Sequence, residues 1–394
     1  MGRSRVVLLT ASATIVVVLL AGGLGLRVGA AETSYGKVIL FSEVLSLVLD
    51  NYVDPVAADE LITGAYESML SGLDAHGAYL TPDEVAQWKA TPDIASAGPG
   101  LAVLKAYGAL QVVAVEEGST ADTAGIEAGD QIRTIDGVSL RDLSLEQGLK
   151  LLNGPEGTMV TLGLLHPRGE VLRESIDVER RSPSAPAHEI EVVKGAAVLT
   201  VRDLARLDED KLRSDLDGAR GEGASALLVD LRNLVEPDNR FGAALVALLR
   251  DRTPLQLKDK DGKVIESLQR DGAGRELWTG SLGLLTNGAT AGAAEAAVAL
   301  LRDQGVRVYG EETFGLGAEP KLFELPDGSG LLVSAHIWET DAGTRWNGEG
   351  LSPDEEISVE GRAFEAAFEE QRNRAVDQFV TDVADASKDR QEAA

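Results

Sequence analysis

Residues 286 to 321 contain a hydroxyl and an amine, the pair of groups that nucleophilic attack on a carbonyl requires. The stretch from 286 to 320, TNGATAGAAEAAVALLRDQGVRVYGEETFGLGAEP, reads as a turn of small residues, a helix and a glycine-flanked loop. Thr290 lies in the turn, and Lys321 follows just beyond the stretch. A hydroxyl becomes a nucleophile when an adjacent base takes its proton. Thr290 and Lys321 therefore form one hypothesis for catalysis, provided that the fold brings them together.

A histidine-dependent site is the second arrangement that the residue types allow. Ser334 and His336 lie two residues apart on one predicted strand, and Asp303 is a carboxylate elsewhere in the chain. Such a pair on one strand is more often structural than catalytic. His76 is a single histidine in a turn, LDAHGAYLTPDE, where a structural role is again the usual one.

Thiolate chemistry and bound cofactors have little support in the sequence. The chain contains no cysteine and four scattered histidines, so disulfide bonds are excluded and a zinc site would need histidines and carboxylates alone. The histidine and carboxylate residues do not have the close spacing that would indicate a metal site. The glycines between 288 and 317 do not form the dinucleotide-binding pattern. We therefore expect no metal and no cofactor.

Composition and charge are those of an acidic globular protein. The 394 residues are enough for two or three domains, with 44% hydrophobic and 26% charged residues. The net charge of -27 argues against nucleic acid as a partner, because phosphate contacts need clustered lysine and arginine. The same charge disfavours peripheral binding to an anionic lipid surface.

The first 31 residues are typical of a membrane anchor or signal segment. Arg3 and Arg5 precede an uncharged stretch of 21 residues, from 6 to 26, which is long enough to cross a bilayer as a helix. The basic flank predicts a cytoplasmic N-terminus with the remainder exported. We expect an uncleaved anchor in a bacterial-type cell envelope. A cleaved signal peptide, which would release a secreted or periplasmic protein, is the alternative.

Four patterns follow the N-terminal segment and predict an α/β multidomain protein. Apolar residues at helical spacing indicate a helical region over 34–94. Short strands and turns over 95–182 include the hairpin signal Asp136-Gly137. Strand-length apolar runs alternate with helical segments over 183–358, which favours crossover units and a largely parallel sheet. Residues 359–394 read as a polar helical tail with a frayed end.

The segment GSTADTAGIEAGDQIRTIDGVSL resembles a PDZ domain, over some 30 residues in which several offsets agree. PDZ domains add a peptide strand to a sheet edge and hold its terminal carboxylate with backbone N–H groups. The resemblance implies a carboxylate-binding loop that includes Pro99, which departs from the pattern because it has no N–H to donate. The peptide-binding residues that it implies are Gly98, Gly100, Leu101, Ala102, Val103, Gln147 and Leu151.

The chain from about 38 to 356 is similar to the carboxyl-terminal processing peptidases, or tail-specific proteases. Five ordered motifs carry this resemblance: SEVLSLVLDNYVD, SGLDAHGAYLTPDE, DLRN, GEETFGLG and NGEGLSPD. The resemblance implies a ClpP/crotonase-like α/β core after the PDZ domain. It also implies cleavage of peptide bonds near protein C-termini by a serine nucleophile and a lysine base.

This chain departs from the family pattern at the positions that perform the chemistry. Gly292 stands where the family has its serine, three residues before Glu295, and Leu316 stands where it has its lysine. Pro320 replaces a frequent glutamine, although Asp303 matches an aspartate of some members. The Gly-Gly turn that would donate to the oxyanion is missing, since the first glycine after DLRN is Gly242. Trp338 and Trp346 are expected to pack the late hairpin, with a place in the old substrate cleft as the alternative.

These departures predict a pseudopeptidase that binds C-terminal or extended peptides without cleaving them, as an adaptor or regulator. The expected partners are protein or peptide C-termini, an active homologue, and the membrane through the N-terminal helix. The alternative is an active serine-type endopeptidase that uses Thr290 with Lys321. A third hypothesis is an envelope scaffold that oligomerises through its terminal helices.

Overall fold

The computed structural model describes residues 35–90, 97–166, 173–250, 254–268, 276–359 and 364–392. The chain forms two compact units, residues 1–66 and 67–394. In the first unit, residues 35–51 form helix α1, whose apolar side chains are largely exposed. Helix α2, Ala58–Ser71, begins in the first unit and ends in the second. Among the described residues no helix is long and apolar enough to cross a bilayer, and the predicted anchor, residues 1–31, lies outside them.

A small antiparallel domain follows the first helices of the second unit. Its strands pair in the order β2-β3-β4-β6-β7, and β5 pairs with β4. Helix α5 begins at a capping box in which the Ser144 and Gln147 side chains each bind the other residue's backbone N–H. The elements before and within this domain are β1 (Ala78–Leu80), α3 (Pro82–Ala90), β2 (Leu101–Ala106), β3 (Ala109–Val115), α4 (Thr120–Thr123), β4 (Gln131–Ile135), β5 (Val138–Ser139), α5 (Leu145–Leu152), β6 (Met159–Leu165) and β7 (Arg173–Glu179).

The largest domain is built on a six-stranded sheet in the order β19-β16-β14-β10-β9-β8. All of its neighbouring strands are parallel except β8 and β9. Its elements are β8 (His188–Val193), β9 (Ala196–Val201), α6 (Glu209–Gly221), β10 (Ala226–Asp230), β11 (Val235–Glu236), α7 (Arg240–Leu249), β12 (Leu255–Asp259), β13 (Val264–Leu268), β14 (Ser281–Thr286), β15 (Ala291–Gly292), α8 (Ala293–Asp303), β16 (Arg307–Gly310), β17 (Ala318–Glu324), β18 (Gly330–Thr340), β19 (Glu355–Glu356) and α9 (Phe364–Glu392). The predicted alternation of strands and helices in this region is confirmed.

Helices cover both faces of the parallel sheet, because its strands are apolar on both faces. One core joins the sheet to α6, α7 and α8, and every residue of α8 from 293 to 301 is buried. A second core joins the opposite face to α9 through Ala375, Val376 and Phe379. The C-terminal segment, which the sequence predicts as a polar tail, is therefore a packed helix, since one of its faces carries these apolar residues.

A separate sheet shows that residues 34–94 are not wholly helical. Strand β1 lies in this segment and pairs antiparallel with β18, with Ala78 opposite Leu332. The complete sheet has the order β1-β18-β12-β13, with β17 also paired to β18. A three-residue strand carries too few residues for a recognisable alternation, so sequence periodicity does not reveal it.

Candidate functional site between the antiparallel domain and the parallel sheet

Gly292 lies where β15 ends and α8 begins, at the N-terminus of a helix that is buried from residue 293 to residue 301. Its backbone has φ of +64°, in the left-handed region that favours glycine. Strand β15 pairs in parallel with β11, which places Glu236 beside Gly292. A Cβ atom added to Gly292 would lie 2.0 Å from the Glu236 carbonyl oxygen. The conformation at this position therefore accepts glycine and excludes any residue with a side chain.

Glu295 connects the two positions at which the sequence predicts lost catalytic groups. Its side chain is completely buried, and one carboxylate oxygen accepts N–H bonds from Gly292 at 2.9 Å and from Leu316 at 2.7 Å. The other oxygen accepts from Gly315 N–H at 2.6 Å and from the Thr313 hydroxyl. Because one oxygen binds both backbone nitrogens, positions 292 and 316 lie within two hydrogen-bond lengths of each other.

The Glu295 carboxyl group has a strongly perturbed environment. Burial raises its pKa to about 7, while the hydrogen bonds from Thr313, Leu316, Gly292 and Gly315 each lower it. All four partners are donors, so they match the ionised carboxylate, which accepts hydrogen bonds only. The carboxylate thus organises the loop around position 316. The one hydroxyl among these four donors, that of Thr313, is buried and also accepts a hydrogen bond from Leu351 N–H at 2.8 Å.

Leu316 is part of a hydrophobic core. It is 2% exposed and belongs to a cluster that contains Ala289, Ala291 and most of the buried side chains of the antiparallel domain. Its carbonyl oxygen accepts a long hydrogen bond from the Asn239 amide, at 3.5 Å. The position that would hold a base therefore joins two domains by apolar packing instead.

The structure does not bring Thr290 and Lys321 together as a pair. Thr290 is completely buried, and its hydroxyl donates to the Leu231 carbonyl oxygen at 3.0 Å while accepting from Asn287 N–H. Lys321 is exposed on β17, with its ammonium 5.4 Å from the centre of the Phe323 ring. In the described parts of the chain no hydrogen bond joins the two, and the threonine hydroxyl is already used to hold the turn.

The histidine-dependent alternative is not assembled either. The Asp303 carboxylate accepts a hydrogen bond from the Thr344 hydroxyl, and His336 lies opposite Glu319 in the β17–β18 ladder. The Ser334 hydroxyl is buried and has no hydrogen-bond partner among the described residues. These three side chains therefore form no relay.

The segment between DLRN and Gly242 shows what replaces the missing Gly-Gly turn. Asn233 has φ of +58°, and its side chain accepts a hydrogen bond from the Asn287 amide at 2.7 Å. Gly242 lies within α7, where an added Cβ would meet the Ala293 carbonyl oxygen at 2.0 Å, so this glycine permits close helix packing. Pro320 lies at a register shift of β17, next to Glu319.

Glu236 is a titratable group of this site that the sequence does not single out. Its side chain is half-buried, and burial raises its pKa to about 7, with the neighbouring Asp203 and Asp238 charges acting in the same direction. The Asp238 N–H donates to it at 3.2 Å, which lowers the pKa in part. In the sequence, the one feature that could have drawn attention to Glu236 is its place in LVEPDN, the segment that departs from the family pattern.

Both tryptophans of the late hairpin are packing residues. Trp338 and Trp346 are almost completely buried in the core of the parallel-sheet domain. The Arg240 guanidinium lies 5.2 Å from the centre of the Trp338 ring. Arg240 is also bound by Asp238, Glu266 and Glu319, so its charge is balanced within the fold.

The predicted carboxylate loop is tied to the rest of its domain by backbone hydrogen bonds. Gly98 N–H donates to the Arg181 carbonyl oxygen at 3.0 Å, so this donor is not free for a peptide. Gly100 has φ of +86°, and its carbonyl oxygen accepts from Glu116 N–H. Of the remaining predicted loop residues, Leu101, Ala102 and Val103 all lie on β2.

Strand β2 is an edge of the antiparallel sheet and pairs with β3 alone in the described residues, which is the kind of strand to which PDZ domains add a peptide. Helix α5 carries the other predicted groove residues. Gln147 uses its side-chain oxygen to accept from Ser144 N–H, and half-buried Leu151 packs against the domain core. The predicted groove therefore has its strand and its helix, with Gln147 engaged in the helix cap. Among the described residues no cluster of histidine and carboxylate side chains could hold a metal ion.

Comparison with known proteins agrees with this architecture. Residues 195–357 match the model of peptidase family S41, and residues 111–165 match a PDZ domain model. A carboxyl-terminal-processing protease of Picosynechococcus is 30% identical over 307 residues, which cover 75% of this chain and 73% of the relative. A probable CtpA-like serine protease of Staphylococcus haemolyticus is 27% identical, and the match covers 78% of this chain and 62% of that protein. The solved photosystem II D1 C-terminal processing protease shares the fold with a TM-score of 0.58, at 23% identity over 81% of this chain and 92% of its own.

Proposed function

Because the chain belongs to the carboxyl-terminal processing peptidases of family S41, we propose that it is a member that binds peptides without cutting them. Its PDZ domain supports peptide binding, and strand β2, which pairs with β3 alone in the described residues, has the backbone groups to which a peptide strand would add. The ligands that we propose are protein C-termini and extended segments with apolar ends.

The arrangement around Glu295 carries this proposal. One carboxylate oxygen holds the backbones of Gly292 and Leu316 together, so the scaffold of the site is formed. Glycine has no atom with which to attack a carbonyl, and leucine cannot take a proton. Loss of a nucleophile or its base lowers kcat on the order of a millionfold in serine peptidases.

An active enzyme would need a hydroxyl and a base from elsewhere in the chain. The buried Thr290 hydroxyl donates to a carbonyl oxygen, and the exposed Lys321 ammonium lies over an aromatic ring, so neither points to a shared site. The names of the relatives nevertheless make a serine-type endopeptidase the outcome that an experiment has to exclude.

The test is to incubate the purified full-length chain in detergent with unstructured protein substrates that have apolar C-termini. A covalent serine-hydrolase probe is applied in parallel, with Thr290→Ala as the matched variant. We expect binding of the substrates, no new fragments and no labelled serine or threonine. Cleavage that disappears in Thr290→Ala would show that the protein is an enzyme and would overturn the proposal.

We also propose that residues 1–31 anchor the protein in the cell envelope with the folded part exported, where an active homologue is a candidate partner. The basic flank at Arg3 and Arg5 and the uncharged stretch that follows support this placement. Membrane fractionation combined with N-terminal sequencing of the mature protein distinguishes an uncleaved anchor from a cleaved signal. A soluble chain that begins after residue 31 would contradict the anchor.

A further inference from the structure

A polar pocket of about 750 Å³ lies at the far end of the PDZ domain from the carboxylate loop. It is bounded by the end of β2, the turn after it, the β4–β5 hairpin and the segment from 68 to 75. Three cationic side chains line it, namely Lys105, Arg133 and Arg141. Such a concentration of positive charge is unusual in a protein with a net charge of -27.

The three cations are anchored to different degrees. The Lys105 ammonium donates to the carbonyl oxygens of Leu140 and Arg141, and burial lowers its pKa to about 8. Arg133 donates to the Gln131 side chain at 2.8 Å. The Arg141 side chain has no hydrogen bond or ion pair within the described ranges. The Arg141 guanidinium is therefore available to bind a ligand. It lies beside the Lys105 ammonium, whose charged form any added negative charge would stabilise.

Two carboxylates limit which anion the pocket can hold. Asp74 and Asp142 also line it, so three cations and two carboxylates leave one unit of positive charge. One Asp74 oxygen already accepts from the backbone N–H groups of His76 and Gly77. This balance suits a single carboxylate, whereas a phosphate group carries closer to two negative charges at neutral pH.

The position of the pocket relates it to the peptide groove. A peptide whose carboxyl group is held near Gly100 extends along the edge of β2, from Leu101 toward Ala106. The peptide strand and β2 both advance by about 3.3 Å per residue. The fifth or sixth peptide residue, counted back from the C-terminus, therefore reaches Lys105 and Ala106. Both of these residues line the pocket, and its other wall ends at Asp142, two residues before the cap of α5.

We propose that this pocket binds the side-chain carboxylate of a glutamate or aspartate five or six residues from the C-terminus of a bound peptide. The protein then selects C-terminal segments that carry an acidic residue upstream of an apolar end. This selection rests on the proposed function, since it needs a peptide in the PDZ groove.

Fluorescence anisotropy of labelled ten-residue peptides tests the selection, with the full-length chain in detergent at low salt. All peptides end in Leu-Ala-Val, and they carry either Glu or Gln at the fifth or the sixth residue from the end. We expect at least one Glu peptide to bind about fivefold more tightly than its Gln counterpart. Arg141→Ala should remove this difference and leave the Gln affinity unchanged. The matched control is Arg202→Ala, an exposed arginine of the parallel-sheet domain that pairs with Glu189 and should preserve the difference.

The outcomes separate the two levels of the proposal. Equal affinities of the Glu and Gln peptides, or a preference that survives in Arg141→Ala, would refute the acidic selection while peptide binding stands. Absence of binding by every peptide would overturn the proposed function and the selection with it. Addition of salt should weaken the preference, because an exposed guanidinium is screened over about 10 Å at 0.1 M.

Discussion

The carbonyl oxygen of Glu236 lies 2.0 Å from the point at which Gly292 would carry a Cβ atom. Strand β11 thus occupies the space that a nucleophilic side chain at position 292 would need. The left-handed φ of Gly292 also favours glycine at this position. Glycine at position 292 and the placement of β11 therefore depend on each other. Restoring a serine at this position requires movement of the backbone of β11.

Gly292→Ser should therefore destabilise the protein and should not restore cleavage. Overlap with the backbone and strain at a positive φ together cost about 2–4 kcal/mol. The midpoint of guanidinium denaturation measures this loss. Gly288→Ser is the matched control, because its Cβ would meet only the Glu312 carbonyl oxygen, at 3.9 Å. A Gly292→Ser variant as stable as Gly288→Ser would show that β11 yields easily.

Leu316→Lys, the other restoring substitution, places an amine in an apolar cluster. We expect a loss of about 3 kcal/mol or more, because leucine packing is removed and the ammonium must be desolvated. Leu316→Met keeps the volume and apolar character, so its cost should stay below about 1.5 kcal/mol. Thermal unfolding of both variants provides the comparison. Equal midpoints for the two would contradict the packing role of Leu316.

Glu295→Gln tests the carboxylate that holds the backbones of Gly292 and Leu316 together. An amide nitrogen would face two of the four donors, and leaving buried donors unpaired costs about 1–3 kcal/mol each. Denaturation should show a clear loss of stability. The exposed Glu312, which accepts only from the Ser352 hydroxyl among the described residues, is the control, and Glu312→Gln should change stability by no more than about 0.5 kcal/mol. Similar effects of the two substitutions would contradict the bridging role.

His76 gives the protein a pH-dependent contact between the PDZ helix α5 and the turn before β1. Its ring nitrogen lies 2.5 Å from the Glu146 carboxylate, although the residues are 70 positions apart. Burial lowers the pKa of His76, but the Glu146 charge and hydrogen bond, with Asp74 and Glu319 nearby, raise it above 6.5. Because the pKa of His76 is higher in the folded protein than in the unfolded chain, the protonated imidazole stabilises the fold. This stabilisation is complete below a pH of about 6.5, the unfolded pKa, and is lost as the pH rises through the folded pKa.

The stability difference between the wild type and His76→Gln should therefore be largest near pH 6 and should narrow toward pH 9. Thermal midpoints measured across this range test the expectation. A His76→Gln difference that stays constant or widens with pH would show that the imidazolium is not the stabilising form.

The sequence alone determined the family, the order of the domains and the absence of a serine and a lysine at the expected positions. Motifs such as FGLG and GAAE are local, so their identity and their departures can be read without coordinates. The alternation of apolar strands and helices likewise predicts the parallel sheet, because both periodicities arise within single elements.

Tertiary structure decided what surrounds the positions at which the family pattern places its serine and lysine. Glu236 meets Gly292 because β11 pairs with β15, and Leu316 joins the PDZ core because two domains meet at its loop. His76 and Glu146 form a pair only after the helix and turn have docked. Each of these contacts joins residues that are distant in the chain, and local spacing carries no information about such pairings. Strand β1 could not be predicted for the same reason, because its three residues form a strand only through pairing with the distant β18.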